Sequence, residues 1–231
     1  MTVINFFLTR HGETQWNKVG KFQGQFDSPL TEKGYRQARA IAAQLNTHNV
    51  GHIVSSTLPR AEKTAEICQA ILNTSLTRTS ALIERNFGDW QGKHISEVKP
   101  DKNFQAIFHQ VNTVAPPNGE SGIDCAVRFQ QALIDISNTV QADNDFQKIG
   151  IKNLASTAID NILIVSHGDI LRCFLSLMVD NFSDEHAINT HKKAFDNGCI
   201  FQITYQSKKQ VFTLVSTLDI TQLPAVAIST T

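Results

Sequence analysis

NILIVSHGDIL (Asn161–Leu171) is the stretch on which the fold turns. Ile162, Leu163, Ile164 and Val165 form an unbroken apolar run, the clearest buried strand in the chain. His167 and Gly168 follow at once, and a helical pattern continues from about Asp169 to Val179. The layout recurs near the start in INFFLTRHGET, where Arg10, His11 and Gly12 follow the apolar run Val3 to Leu8. In an open α/β sheet, ligands bind beyond the carboxyl ends of the strands. Two His-Gly turns placed after apolar strands therefore put both imidazoles in one crevice. Gly168 lets the backbone approach closely, and the helix after it offers N–H groups that favour an anion.

The remaining pattern alternates strands with helices. Thr31 caps a helix whose Ala38, Ile41, Ala42 and Leu45 share one face. Ile53 to Ser55 reads as a short strand, and Pro59 to Leu72 as a helix with Ala61, Ala65, Cys68 and Leu72 on one stripe. Asp101 to Val111 and Glu120 to Thr139 are helical by period, separated by the break Pro116-Pro117-Asn118-Gly119. Cys199 to Tyr205 and Val211 to Leu218 read as a hairpin. Arg10 to Ser28 and Leu82 to Gly92 read as loops, Gln141 to Ala158 as a polar surface excursion, and residues from about 219 to 231 as a loose tail. The expected architecture is a three-layer α/β fold, a mainly parallel sheet flanked by helices. Residues 1–231 form a single domain, with helices inserted over about 90–140 as a small cap.

Composition narrows the function. The 231 residues are 41% hydrophobic and 18% charged, a globular balance. Lys plus Arg is 21 and Asp plus Glu is 21, so no basic excess is available for general nucleic-acid binding. The longest apolar runs, about five residues, are too short to span a bilayer. The opening MTVINFF lacks the basic region and long apolar stretch of a secretory leader. Cys68, Cys125, Cys173 and Cys199 are far apart, form no C-x-x-C pair and sit among apolar residues. They read as reduced core thiols of a cytoplasmic protein.

LTRHGETQWN (Leu8 to Asn17) resembles the signature of the histidine phosphatase superfamily, the phosphoglycerate-mutase-like fold. The likeness continues through FQGQFDSPLTEKGYRQA (Phe22 to Ala38), SSTLPRAEKTAEI (Ser55 to Ile67), LIERNFGDWQG (Leu82 to Gly92), PPNGES (Pro116 to Ser121) and VSHGD (Val165 to Asp169). The resemblance implies that Arg10, Arg60 and His167 surround a phosphoryl group, with Asn17 helping and Gly168 beside them. It implies that His11 is the nucleophile and Glu84 the general acid and base, and that Gln23 and Gly24 meet the substrate just past the phosphate. These residue types suit the task. A guanidinium donates two parallel hydrogen bonds to adjacent oxygens. A neutral imidazole presents one lone pair, provided its other nitrogen holds the proton against an acceptor such as a backbone carbonyl. An alkoxide leaves poorly unless an acid protonates it.

The expected activity is therefore a phosphomonoesterase on small phosphorylated metabolites, with no metal and no cofactor. A cofactor-dependent phosphoglycerate mutase is the alternative, and an inactive binding protein on the same fold a further one. Family mutases carry a longer, more basic insertion before the Gly-Glu-Ser element. Here the stretch from Gly88 to Gly119 is short, with Lys93, Lys99 and Lys102 as its lysines. The expected partner is the small phosphorylated substrate, with neither nucleic acid nor membrane; an exposed strand or helix could support a homodimer. Ser121 suits a helix cap, Glu13 a local structural role, and Trp16 and Trp90 buried packing. His48, His52, His94, His109, His186 and His191 show no metal-ligand spacing, and of these only His94 and His109 are placed to visit the pocket.

Overall fold

The computed structural model describes residues 3–111, 113–148, 161–182, 195–218 and 220. Its strands are β1 (Val3–Arg10), β2 (His52–Ser56), β3 (Ser75–Thr79), β4 (Asn161–Ser166), β5 (Val179–Asp180), β6 (Ile200–Gln206) and β7 (Val211–Leu218). They form one seven-stranded sheet in the order β3-β2-β4-β1-β6-β7-β5. The pairs β1–β4, β2–β4, β2–β3 and β5–β7 are parallel, whereas β6 runs antiparallel to both β1 and β7. The helices are α1 (Gln15–Val19), α2 (Glu32–Leu45), α3 (Pro59–Leu72), α4 (Ile95–Val98), α5 (Phe104–His109), α6 (Gly122–Lys148) and α7 (Gly168–Met178).

Alternation along the strands makes the three layers. Ile4, Phe6 and Leu8 of β1, with Ile162 and Ile164 of β4, face Cys125, Phe129 and Leu133 of α6 and Leu171, Phe174 and Leu175 of α7. Phe7, Leu163 and Val165 point the other way, onto Ile41, Ala42 and Leu45 of α2 and Ala61, Ala65 and Cys68 of α3. Each large apolar side chain taken out of water this way contributes about 1.5–3 kcal/mol before conformational entropy is set against it. A third cluster, Phe22, Phe87, Trp90, Val98, Phe104 and Ile107, is separate from both faces.

Several boundaries differ from those the sequence suggests. The expected loop Arg10–Ser28 contains α1, which Thr14 caps by accepting from Asn17 N while the Asn17 side chain accepts from Thr14 N. The helix expected over Asp101–Val111 covers only Phe104–His109. The helices expected as a cap divide: α6 joins the main core beside α7, and the separate aromatic cluster is built from residues 22 and 87–107. Helix α6 continues to Lys148, into the stretch expected as a surface excursion, and residues 149–160 lie outside those described. The expected tail also lies outside them, apart from residue 220. Strand β3 has no apolar run; it is held by parallel pairing with β2. All four cysteines are buried and free. No helix among the described residues is long and apolar enough to cross a membrane.

Candidate active site

Strand register brings the two imidazoles together. β1 and β4 are parallel neighbours, with Arg10 opposite Ser166, so His11 and His167 emerge side by side. The amide of His11 donates to the Ser166 carbonyl at 3.0 Å, and the ring centroids lie 5.2 Å apart. His11 Nδ1 is 2.7 Å from the Gly12 carbonyl oxygen. A carbonyl only accepts, so Nδ1 carries the proton and Nε2 keeps its lone pair. Arg60 Nε donates to that Nε2 at 3.1 Å. Burial, then the charges of Arg60 and Arg10, hold the His11 pKa well below its ordinary value.

His167 is fixed in a complementary way. Its Nε2 is 2.7 Å from Ser56 Oγ, which also accepts from Leu58 N at 3.2 Å. The Ser56 hydroxyl proton is then free to go to Nε2, which leaves the proton of His167 on Nδ1. Burial, followed by Arg60, His11 and Arg10, keeps this imidazole neutral as well. Among the described residues His167 Nδ1 and Arg10 Nε are buried without a hydrogen-bond partner. Unmatched buried donors are costly, and an anion set against both would satisfy them.

Arg60 stands in the first turn of α3, where Pro59 supplies a fixed φ and no N–H that needs a partner. Only 2% of it is exposed. Its guanidinium is held by the Gly24 carbonyl at 2.6 Å, the Phe26 carbonyl at 2.7 Å and Asp27 Oδ1 at 3.0 Å. Removing Asp27 or a carbonyl would leave a buried charge under-compensated, so this mooring fixes the cation tightly. Arg10 ends β1 and donates through Nη1 to the Phe195 carbonyl at 2.8 Å. A Cβ on Gly168 would fall 3.1 Å from Arg10 Cζ and Nε, so the glycine lets the guanidinium lie across the start of α7.

That start of α7 departs from expectation. Two of its N–H groups are already taken by a side chain: Asp169 N and Ile170 N donate to the Glu84 carboxylate at 3.2 and 2.9 Å. Arg85 N adds a third bond at 2.9 Å. The helix N-terminus therefore holds the carboxylate in place beside His167. Burial, then the charge of Asp169, raises the Glu84 pKa against these amides and Arg60. Asp169 stays ionised because, although burial raises its pKa, Arg172 and Arg85 lower it further. Arg172 Nη2 lies 2.7 Å and Arg85 Nη1 3.2 Å from its carboxylate.

Other expected residues sit less directly. Gln23 is buried and its Oε1 accepts from Thr14 Oγ1 at 3.0 Å, so its oxygen is spent on the loop. Gly24 adopts φ +52°, a conformation that favours glycine, and contributes its carbonyl to Arg60. Asn17 Oδ1 accepts from Thr14 N and from Asn197 Nδ2. Glu13 accepts from Thr31 and pairs with Lys33, and Ser121 Oγ accepts from Asp124 N at the start of α6. Trp90 is buried and Trp16 half-buried. His94 starts α4 as its N-terminal cap. The side chain of His109, and His186 and His191 whole, are outside the described residues.

Sequence reading misses Ser56, Asp27, Arg85, Asp169 and Asn197, all of which hold site residues in place. Ser56 and Asp27 lie inside the motif blocks, and Arg85 directly follows Glu84. Asn197 lies outside every motif block. Among the described residues no cluster of three or more His, Cys, Asp or Glu is arranged to hold a metal. A cleft of about 340 Å³ opens elsewhere, between β2, β3 and α6, and none of the site residues lines it.

Comparison with known proteins identifies the family. The model of the histidine phosphatase superfamily (branch 1) matches residues 6–217. A probable phosphoglycerate mutase GpmB from Enterobacter sp. (strain 638) is 30% identical over 179 residues, which are 77% of this chain and 75% of that one. A putative alpha-ribazole-5'-P phosphatase from Escherichia coli K-12 is 25% identical, with a TM-score of 0.66 over 94% of this chain and 97% of the other. A phosphoglycerate mutase from Bacillus anthracis shares the fold, at 22% identity and a TM-score of 0.73 over 95% of each chain.

Proposed function

The chain belongs to the histidine phosphatase superfamily, and on that premise we propose that it hydrolyses small phosphomonoesters through a phosphohistidine at His11. One observation carries the reading. His11 is a buried neutral imidazole with its Nδ1 proton on the Gly12 carbonyl and its Nε2 turned to Arg60, beside the unmatched donors Arg10 Nε and His167 Nδ1.

The steps follow from those atoms. A phosphoryl group enters against Arg10, Arg60 and His167, whose donors meet its three equatorial oxygens and stabilise the charge spread over them in the transition state. Arg60 Nε turns its N–H from His11 Nε2 to a phosphoryl oxygen, and the freed lone pair attacks phosphorus as the bond to the ester oxygen breaks. Glu84 gives its proton to that oxygen, so an alcohol leaves instead of an alkoxide. Its raised pKa suits this donation. Water then attacks the phosphohistidine, Glu84 takes the water proton, the P–N bond breaks, and His11 returns neutral with inorganic phosphate as product. The Gly12 carbonyl supports the charge that builds on the ring while phosphorus is bonded to Nε2.

A second reading, phosphoryl transfer between positions of a phosphoglycerate, is favoured by the GpmB relative. The short segment from Gly88 to Gly119 favours hydrolysis. A coupled mutase assay with and without bisphosphoglycerate separates the two: phosphate release without mutase flux supports hydrolysis. The nucleophile is tested by His11→Ala, assayed on p-nitrophenyl phosphate with rapid quenching. Turnover and an acid-labile, base-stable phosphoprotein should vanish together. Turnover retained at roughly a tenth of the parent rate would mean that His11 does not make the covalent bond.

A further inference from the structure

We propose that Asn197 is a positioning residue which fixes the Asn17 side chain so that an N–H donor, and not an oxygen, is offered to the phosphoryl group. The inference rests on the reading of this site as a phosphoryl site. The Asn197 amide has two N–H bonds and both are used: Nδ2 lies 3.0 Å from the His11 carbonyl oxygen and 3.1 Å from Asn17 Oδ1. One side chain thus spans the backbone of the nucleophile and the side chain of Asn17.

Asn17 Oδ1 accepts from Thr14 N at 3.1 Å as well. With two donors on the oxygen, Nδ2 is the end of the Asn17 amide that remains to donate. The amide group is nearly symmetric in shape, so sterics barely resist a flip. Hydrogen bonding resists it: a flip would set the Asn17 NH2 against the N–H groups of both Thr14 and Asn197. Thr14 alone supplies one such obstacle, and Asn197 doubles it. Asn197 is itself anchored. Its backbone carbonyl accepts from Gln37 Nε2 at 2.8 Å, Gln37 Oε1 accepts from Glu13 N at 2.8 Å, and Gly198 N donates to the Arg10 carbonyl at 3.2 Å. The clamp therefore closes on both sides of the Arg10–Glu13 turn.

The substitution that separates this role from plain support is Asn197→Asp. Aspartate has the same shape but presents oxygen to two acceptors, the His11 carbonyl and Asn17 Oδ1. The Asn17 amide then gains by flipping, which turns its oxygen on the incoming anion. A merely supporting side chain would tolerate this isostere better than Asn197→Ala. A clamp predicts the reverse order.

The experiment measures inhibition constants for inorganic phosphate and orthovanadate on the full chain, with Tm recorded beside each. Variants are Asn197→Ala, Asn197→Asp, Asn17→Ala, Asn17→Asp and the double alanine variant. Asn197→Ala should weaken both anions about tenfold, and Asn197→Asp further, in line with a lost hydrogen bond to a charged group. In the Asn17→Ala background, Asn197→Ala should add less than about twofold, the coupling expected of residues acting through one bond. Asn17→Asp needs no change at position 197. Its carboxylate still accepts from Thr14 N and Asn197 Nδ2, so the fold is kept while anion affinity falls more than for Asn17→Ala. Additive effects, or an Asn197→Asp or Asn17→Asp variant that binds phosphate like the parent, would overturn the proposal alone. A parent chain that binds neither anion would overturn the phosphoryl-site reading beneath it.

Discussion

Glu84→Gln tests the acid where the structure makes its effect calculable. Glu84 Oε1 accepts from Arg85 N and Ile170 N, both at 2.9 Å, and Oε2 from Asp169 N at 3.2 Å. The glutamine oxygen can inherit the two shorter bonds. Its NH2 then meets the Asp169 N–H donor to donor, leaving a buried N–H unmatched at a cost of about 1–3 kcal/mol. Loss of a buried carboxyl that Asp169 repels offsets part of this, so Tm should change little. The loss of proton donation is larger. A positioned general acid contributes roughly 100- to 10,000-fold, or about 2.7–5.5 kcal/mol of barrier, when the leaving group needs a proton. Alkyl phosphates need it and p-nitrophenyl phosphate does not. kcat/KM for a series of leaving groups should therefore show the variant falling steeply for alkyl esters and under about tenfold for nitrophenyl. The parent rate on alkyl esters should also fall as pH rises through the raised Glu84 pKa, and the variant should lack that limb. If both esters slow by the same factor, Glu84 supports the structure and is not the acid.

Further outcomes follow from burial and packing. The native pKa values of His11 and His167 lie below the ordinary 6.5, so the unfolded chain takes up protons that the native state refuses. Their contribution to stability is complete above 6.5 and is lost as pH falls below it, with a slope approaching about 2.7 kcal/mol per pH unit for the pair. Urea unfolding of the parent and a His11→Asn/His167→Asn variant over that window measures it, and an unchanged slope would refute the neutral assignment. Gly168→Ala places a Cβ 3.1 Å from the Arg10 guanidinium; displacing that cation should weaken phosphate inhibition roughly tenfold, and an unaltered constant would show Arg10 to be outside the anion site. Burial pushes the Cys68 thiol up to about 12 and the Cys199 thiol up to about 11. Native thiols should react with Ellman's reagent only at the rate of opening, and a fast burst would contradict their burial.

What the sequence discloses depends on how local the cause is. β4 and β1 are legible because apolar runs buried on both faces need no partner to be recognised. β3 is not legible: Ser75, Thr77 and Arg78 are exposed, and only pairing with β2 makes them a strand. Helix α1 hides in a polar stretch because its reciprocal Thr14–Asn17 cap, and not an apolar stripe, starts it. The same holds at the site. His11, Arg10, Arg60, His167 and Glu84 are marked by motifs, whereas Ser56 and Asn197 act through contacts that span 111 and 186 residues of chain. Periodicity cannot register contacts of that range.

The most instructive departure concerns the amino end of α7. A helix N-terminus beside a His-Gly turn is a natural anion site, and from sequence the anion is the substrate. In the fold the anion is Glu84. Amides alone would hold that carboxyl ionised and useless as an acid. Burial outweighs them, and Asp169, one residue into the same helix, adds to it: Arg85 and Arg172 keep Asp169 charged, and that charge raises Glu84 further. The two carboxyl groups are therefore driven apart in acidity by partners from different elements. One is fixed as a charge by two guanidiniums, and the other, with its raised pKa, suits the proton transfer proposed for it. Arg85 and Arg172 should accordingly tune the alkaline limb for alkyl esters without touching substrate. Removing Arg172 takes away a positive charge that faces both carboxyl groups, so that limb should move to higher pH in kcat/KM profiles on an alkyl ester, and an unmoved limb would refute the coupling.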